Sequence, residues 1–141
     1  MREIPRHAFP MEFRSLDCFR DLSVVEVRRV WGLGQQVHIP QGWSLILEPG
    51  PGDSVHLILS GSMEIIESGD EVSQRGPGEV IRALAPAEQS FRTAVVTATS
   101  NVQALLFPAD DFRTAIHEVA GFGSAIKRME STRRSADRPS T

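Results

Sequence analysis

Along this chain the spacing of apolar residues switches from helical to strand-like and back. The first twelve or so residues carry Pro5 and Pro10 without any period and predict an irregular arm. From Glu12 to Arg20, Phe13, Leu16 and Phe19 fall on one side of a short amphipathic helix. Ser23 is followed three residues later by Glu26, a pairing in which hydroxyl and carboxylate each satisfy a free amide of a first helical turn, with Leu22 and Val27 as the flanking staple. A second helix is therefore expected from there to about Leu33, stopped by Gly34.

Between Gln36 and Phe107 the pattern becomes short β-branched or Leu-rich pieces, about eight in all. They are Val37 to Ile39, Ser44 to Leu47, Val55 to Ser60, Ser62 to Glu67, Glu71 to Gln74, Glu79 to Ile81, Thr93 to Thr99 and Val102 to Phe107. Turn chemistry separates them: Gly50 to Asp53, Ser68 to Asp70, Gly76 to Gly78, and Ser100 with Asn101. Strands this short and this closely spaced predict a mainly β chain with flanking helices, built on an eight-stranded antiparallel β-roll of jelly-roll-like form.

Helical spacing then returns. Phe112, Ala115, Ile116 and Val119 stand at i, i+3, i+4 and i+7, after Pro108 and Asp110 and before Gly121. Phe122, Ala125, Ile126 and Met129 repeat the stripe, predicting a helix from Ser124 to about Thr132 whose apolar face either folds back over the roll or pairs with a second copy. The organisation expected is an arm (1–12), one domain (13–130) and a polar, disordered tail (131–141).

Charge and composition narrow the function classes. The net charge is −3, so no general attraction to nucleic acid or anionic lipid follows, although Lys127, Arg128, Arg133, Arg134 and Arg138 make the end of the chain basic. No apolar run approaches the roughly 20 residues of a membrane span, and charges at Arg2, Glu3, Arg6, Glu12 and Arg14 interrupt any signal-peptide core. A cytoplasmic protein is expected, and the single cysteine, Cys18, reads as a small packed residue. His7, His38, His56 and His117 show no metal-ligand spacing, no nucleophile–base set stands out, and neither a metal nor catalysis is expected. His56, alternating with Val55 and Leu57, is expected on the polar face of its strand. Trp31 reads as core; Trp43 reads either as a partner contact or as a cap on the end of the roll.

Phe19 with Leu22, Ile39-Pro40-Gln41-Gly42, the stretch Gly50 to Gly61, Gly76-Pro77-Gly78-Glu79-Val80-Ile81 and Arg92-Thr93-Ala94-Val95-Val96 occur in one order and spacing. Together they resemble the cyclic nucleotide-binding domain over about residues 13 to 130. The most telling is Gly61, where the chain must reverse between two buried strands. In that family a cassette opens with a Gly-Glu pair after a lead-in strand, continues as a short helix and ends about ten residues later in an Arg. Helix terminus and guanidinium bind the cyclic phosphate, and the Glu accepts from the ribose hydroxyl. The resemblance implies Arg92 and Thr93 as the phosphate-binding end here, with Arg82, Ala83 and Leu84 where the cassette opens. The Gly-Glu pair is then missing, and Pro86 falls within the short helix. Gly78-Glu79 offers an alternative register, but it would lengthen the cassette by four residues and leave no strand before it. Arg82 and Arg92 either converge on an anion or lie at the surface, with Arg92 paired to Glu79 or Glu88; the same two acidic residues are candidate substitutes for the lost carboxylate.

The function expected is therefore a non-catalytic regulatory or ligand-sensing module with weak or no cyclic nucleotide binding and no cofactor beyond such an anionic ligand. The alternatives are a working cyclic AMP or cyclic GMP sensor acting on a separate protein, and a pure protein-interaction subunit. A homodimer through the C-terminal helix and a separate output protein are the expected partners. Direct nucleic-acid binding is not expected, because a helix-turn-helix reader would need about 60 residues beyond Met129.

Overall fold

Ser23 caps the start of a helix as its chemistry requires. In the computed structural model, which describes residues 2–3, 13, 15–47, 54–67, 71–82 and 94–137, the Glu26 amide donates to the Ser23 hydroxyl at 3.1 Å. The Glu26 carboxylate in turn accepts from the Ser23 amide at 2.8 Å. This box opens α2 (Val24–Gly32), preceded by the single turn α1 (Asp17–Arg20). Of the predicted helix from Glu12 to Arg20, Asp17–Arg20 is α-helical and Phe13 lies in a 3-10 turn, while Glu12 and Arg14 lie outside the described residues.

Strands follow in chain order: β1 (Arg2–Glu3), β2 (Gln35–Ile39), β3 (Ser44–Leu47), β4 (Ser54–Ser60), β5 (Met63–Glu67), β6 (Glu71–Arg75), β7 (Val80–Arg82), β8 (Ala94–Ala98) and β9 (Val102–Pro108). The predicted strands are all present within a residue or two, and the N-terminal arm adds β1, an edge strand on β2. Every pairing is antiparallel.

The roll itself needs correction. The strands form two separate open sheets, a five-stranded one in the order β1-β2-β9-β4-β7 and a four-stranded one in the order β3-β8-β5-β6. Neither sheet closes on itself, so this is not the jelly-roll-like β-roll expected from strand spacing. The reason lies in the turn after β4. At Gly61 the chain leaves the first sheet, and β5 pairs with β6 and β8 instead of returning along β4.

Each sheet presents one face to the other. Val37, Ile39, Ile58, Ile81, Val102 and Ala104 from the first meet Met63, Ile65, Val96 and Ala98 from the second in one buried cluster. The other face of the five-stranded sheet, with Val55, Leu57, Leu59, Leu105 and Phe107, lies under the helices in a second cluster. Its strands therefore bury both faces, and β4 reads as an almost unbroken buried run. A chain of aromatic rings ties the helices to the sheet: Phe107 meets Phe112 edge-on at 5.4 Å, Phe112 meets Phe122 at 6.1 Å, and Phe122 stacks on Phe19 at 6.1 Å.

The C-terminal helices are α3 (Ala109–Glu118) and α4 (Ala120–Asp137). Gly121 does not stop α3. That helix ends because Val119 leaves helical geometry while its amide still bonds the Ala115 carbonyl, and Gly121 then lies inside α4. Helix α4 starts earlier and ends later than the segment Ser124 to Thr132 predicted from the stripe, and its backbone stays helical past Ser131, where the tail was expected to begin. Of the two arrangements open for its apolar stripe, the fold-back one is observed: Phe122, Ala125 and Ile126 are buried against their own chain, with Met129 packed beside them.

Candidate functional site

The segment that leads into the predicted cassette is built by a turn and a short strand. Gly76, Pro77, Gly78 and Glu79 form a type II turn, closed by the Glu79 amide donating to the Gly76 carbonyl at 3.1 Å, with Gly78 at φ +86°. The Glu79 carboxylate accepts from the Gly76 amide at 2.8 Å, so its side chain closes the same turn. Two further bonds dock the turn on β4: the Gly78 amide donates to the Ile58 carbonyl and the Ile58 amide to the Glu79 carbonyl. Only then does β7 begin, with Val80, Ile81 and Arg82 in register with Leu57, His56 and Val55.

Of the sequence-predicted site residues, Glu79 is thus placed in the lead-in turn, and Arg82 at the last position of β7. Ala83, Leu84, Glu88, Arg92 and Thr93 lie outside the described residues, as does Pro86. Among the described residues no three His, Cys, Asp or Glu side chains gather as metal ligands, and no helix is long and apolar enough to cross a membrane.

His56 departs from its expected place. It is buried, 6% exposed, and its Nδ1 has no hydrogen-bond partner among the described residues. Its register partners are Ile81 on one side and Leu106 on the other. Alternation puts it on the face of β4 that carries Ile58, the face turned toward the second sheet. The sequence rule failed because alternation with Val55 and Leu57 marks a different face and does not make that face polar. The missed signal was Ile58 and Leu59 directly after it: a strand apolar at successive positions buries both faces.

Burial lowers the His56 pKa from 6.5 to about 4, since the apolar surroundings disfavour the imidazolium. The unfolded chain then binds the extra proton more readily than the native one, so stability is full above about pH 6.5 and declines as pH falls toward 4. The loss over that window is expected to reach about 3 kcal/mol. Urea denaturation at a series of pH values measures it, and His56→Leu is expected to flatten that part of the profile. An unchanged slope in the Leu variant would mean that other groups carry the acid sensitivity.

Cys18 is buried as expected, and burial pushes its thiol up to about 12, leaving it unreactive as a nucleophile. Trp31 is core, stacked on Phe13 at 6.3 Å. Trp43 is 48% exposed at the start of β3, held by its backbone, which accepts from the Ala98 amide.

The order of elements now has close parallels among solved structures. The Thermus thermophilus catabolite activator protein superposes with a TM-score of 0.64 at 21% identity, over 86% of this chain and 60% of that one. The chain therefore spans 60% of the length of that protein. The N-terminal domain of a transcriptional regulator from Streptomyces coelicolor A3(2) gives 0.58 at 21% identity, over 92% and 97% of the two chains. A third structure, PKAR CBD2 with Sp-2Cl-cAMPS bound, gives 0.65 at 14% identity, over 96% and 94%. No curated protein matches the chain. These likenesses show a shared fold, and the sequence itself matches the cyclic nucleotide-binding domain model over residues 36–118, from β2 to the end of α3 and across the lead-in turn and β7. With more than half of its length in that match, the chain belongs to the cyclic nucleotide-binding domain family, a non-catalytic regulatory module.

Proposed function

We propose that the chain is a ligand-sensing module whose phosphate-binding cassette is degenerate, so that cyclic nucleotides bind it weakly. The observation that carries this reading is the turn Gly76–Glu79. It stands ahead of β7, and its carboxylate is already bonded to the Gly76 amide, which favours the register in which the cassette opens at Arg82 and Ala83. In that register Ala83 takes the place of the acid that would accept from the ribose. Losing a charge-assisted hydrogen bond of this kind costs roughly 1.5 to 3 kcal/mol, about ten- to a hundredfold in affinity. Arg92 and Thr93 retain the phosphate-binding end, and Arg82 adds positive charge, so an anionic ligand of the kind bound by PKAR CBD2 remains the ligand class.

Cyclic AMP and cyclic GMP are accordingly expected to bind no tighter than about 10 µM in calorimetry. A sub-micromolar constant would overturn the reading and require a carboxylate, from Glu88 or a freed Glu79, in place of the lost one.

The protein is proposed to be cytoplasmic and to pass its signal to a separate protein without touching nucleic acid. A protein-interaction role is favoured by Trp43, a large apolar side chain half exposed at a sheet edge. Pairing of two copies is also part of the proposal. It must use a surface other than Phe122, Ala125 and Ile126, which are buried in their own chain, and light scattering at tens of micromolar tests it.

A further inference from the structure

We infer that the outer edge of β3 is the docking site for one extended strand of a partner protein, an inference that rests on the protein-interaction role proposed above. The two sheets face each other strand by strand. Short turns at 40–43, 61–62, 76–79 and 99–101 join β2 to β3, β4 to β5, β6 to β7 and β8 to β9. The order β2-β9-β4-β7 therefore lies over β3-β8-β5-β6, and β1, beyond β2, has no described strand across from it. The place opposite β1 is the place beside β3, and it is one strand wide.

The backbone of β3 is set to receive that strand. The Trp43 carbonyl accepts from the Ala98 amide, and bonded pairs alternate along the β3–β8 ladder from there, so the amides and carbonyls of Ser44 and Ile46 point away from β8. Among the edge strands of the two sheets, β1 carries Arg2 and Glu3, β6 carries Glu71 and Arg75, and β7 carries Arg82, whereas Ser44-Leu45-Ile46-Leu47 has no charge. Charges on an edge keep other strands off, and β3 lacks that guard. Residues Gln41 to Ser44 are exposed. Trp43 is held at both backbone groups, its amide donating to the Pro40 carbonyl, which makes it a rigid aromatic anchor beside the edge.

Charge and shape narrow the partner. Glu3 is in register with Val37, on the face of the first sheet that turns toward the second. It overhangs the added strand and calls for Lys or Arg on that side. On the outer side Ile46, Val95 and Ile66 stand in one register row across β3, β8 and β5, and Val95 is 37% exposed. That row calls for β-branched apolar residues. The partner is therefore an extended segment with a cation flanked by Ile or Val. A second copy of the chain does not fit, because joining β3 to β3 would bring both β1 strands into the same space.

The probe is the peptide acetyl-Thr-Ile-Lys-Ile-Thr-amide, with Lys on one side of the strand and Ile on the other, titrated into the full chain with hydrogen exchange read by NMR. Exchange at the Ser44 and Ile46 amides is expected to slow by about tenfold or more at saturation. Ser44→Pro removes an outward amide but no bond to β8, and is expected to weaken binding about tenfold. Glu3→Lys is expected to reverse the preference for this peptide over its Glu counterpart, and it keeps the test decisive if Ser44→Pro unfolds. A response of Trp43 fluorescence to the peptide without protection at Ser44 and Ile46 would overturn the strand pairing and leave the interaction role standing. No response at either place with millimolar peptide would overturn both. Protection of the two amides without peptide, in a particle of two chains by light scattering, would overturn the inference in favour of a second copy.

Discussion

Ile126→Asp is expected to cost about 4 kcal/mol or more and to lower the unfolding midpoint by more than about 10 °C. Ile126 is 1% exposed in the cluster that joins α4 to the five-stranded sheet and to α1 and α3. Removing its side chain forfeits roughly 1.5 to 3 kcal/mol of burial. The new carboxylate then lies in an apolar cluster that includes Phe19, Phe112 and Phe122, and adds a desolvation penalty of similar size. Adding Met129→Asp at the partly buried margin should deepen the loss only slightly, whereas Lys127→Asp, on the exposed side, should change stability by less than about 0.5 kcal/mol. Thermal unfolding followed by circular dichroism, with light scattering of each variant, reads the result. A double variant that stayed as stable as the wild type and fell from two chains to one would place the stripe in a dimer seam instead of a fold-back contact.

Gly61→Ala is expected to cost about 3 kcal/mol or more, from two sources that a neighbouring glycine separates. Gly61 sits at φ +88°, a conformation that costs a residue with a Cβ roughly 1 to 2 kcal/mol. A Cβ there would also come within 2.3 Å of the Asn101 carbonyl oxygen and 3.0 Å of the Val102 Cα. Both are backbone atoms, and Val102 opens β9, which is clamped between β2 and β4, so the obstacle cannot step aside. Gly78 shares the dihedral, φ +86°, but a Cβ there meets nothing within 4 Å. Gly78→Ala should therefore show the backbone strain alone, and the difference between the two variants in urea unfolding isolates the collision. Equal losses would mean that β9 yields at Asn101, contrary to its pairing on both sides.

Much of this fold was legible because its signals are local. Ser23 and Glu26 bond each other's amides within one turn of helix, so their spacing alone predicted the helix start. Gly76-Pro77-Gly78 carries the residues that a type II turn demands, and it makes that turn. The strand positions followed for the same reason, since β-branched runs between turn residues need no distant partner to be recognised. The motif order that pointed to the cyclic nucleotide-binding family is local chemistry repeated, and the match over residues 36–118 agrees with it. For the candidate site, sequence order alone set Arg82 and Ala83 after the lead-in strand, while the engagement of Glu79 by the Gly76 amide needed the folded turn.

By itself, then, the sequence determined where most of the helices, strands and turns lie and which family they compose, because these depend on neighbours within a few residues. Tertiary structure alone decided which strands pair, which faces are covered and where α4 is buried. Period-two alternation tells which residues share a face of β4 but not that both faces meet apolar layers, and so it could not put His56 inside. The departure of β5 to a second sheet at Gly61 depends on Asn101 and Val102, some forty residues away in sequence, and only folding brings them against that glycine.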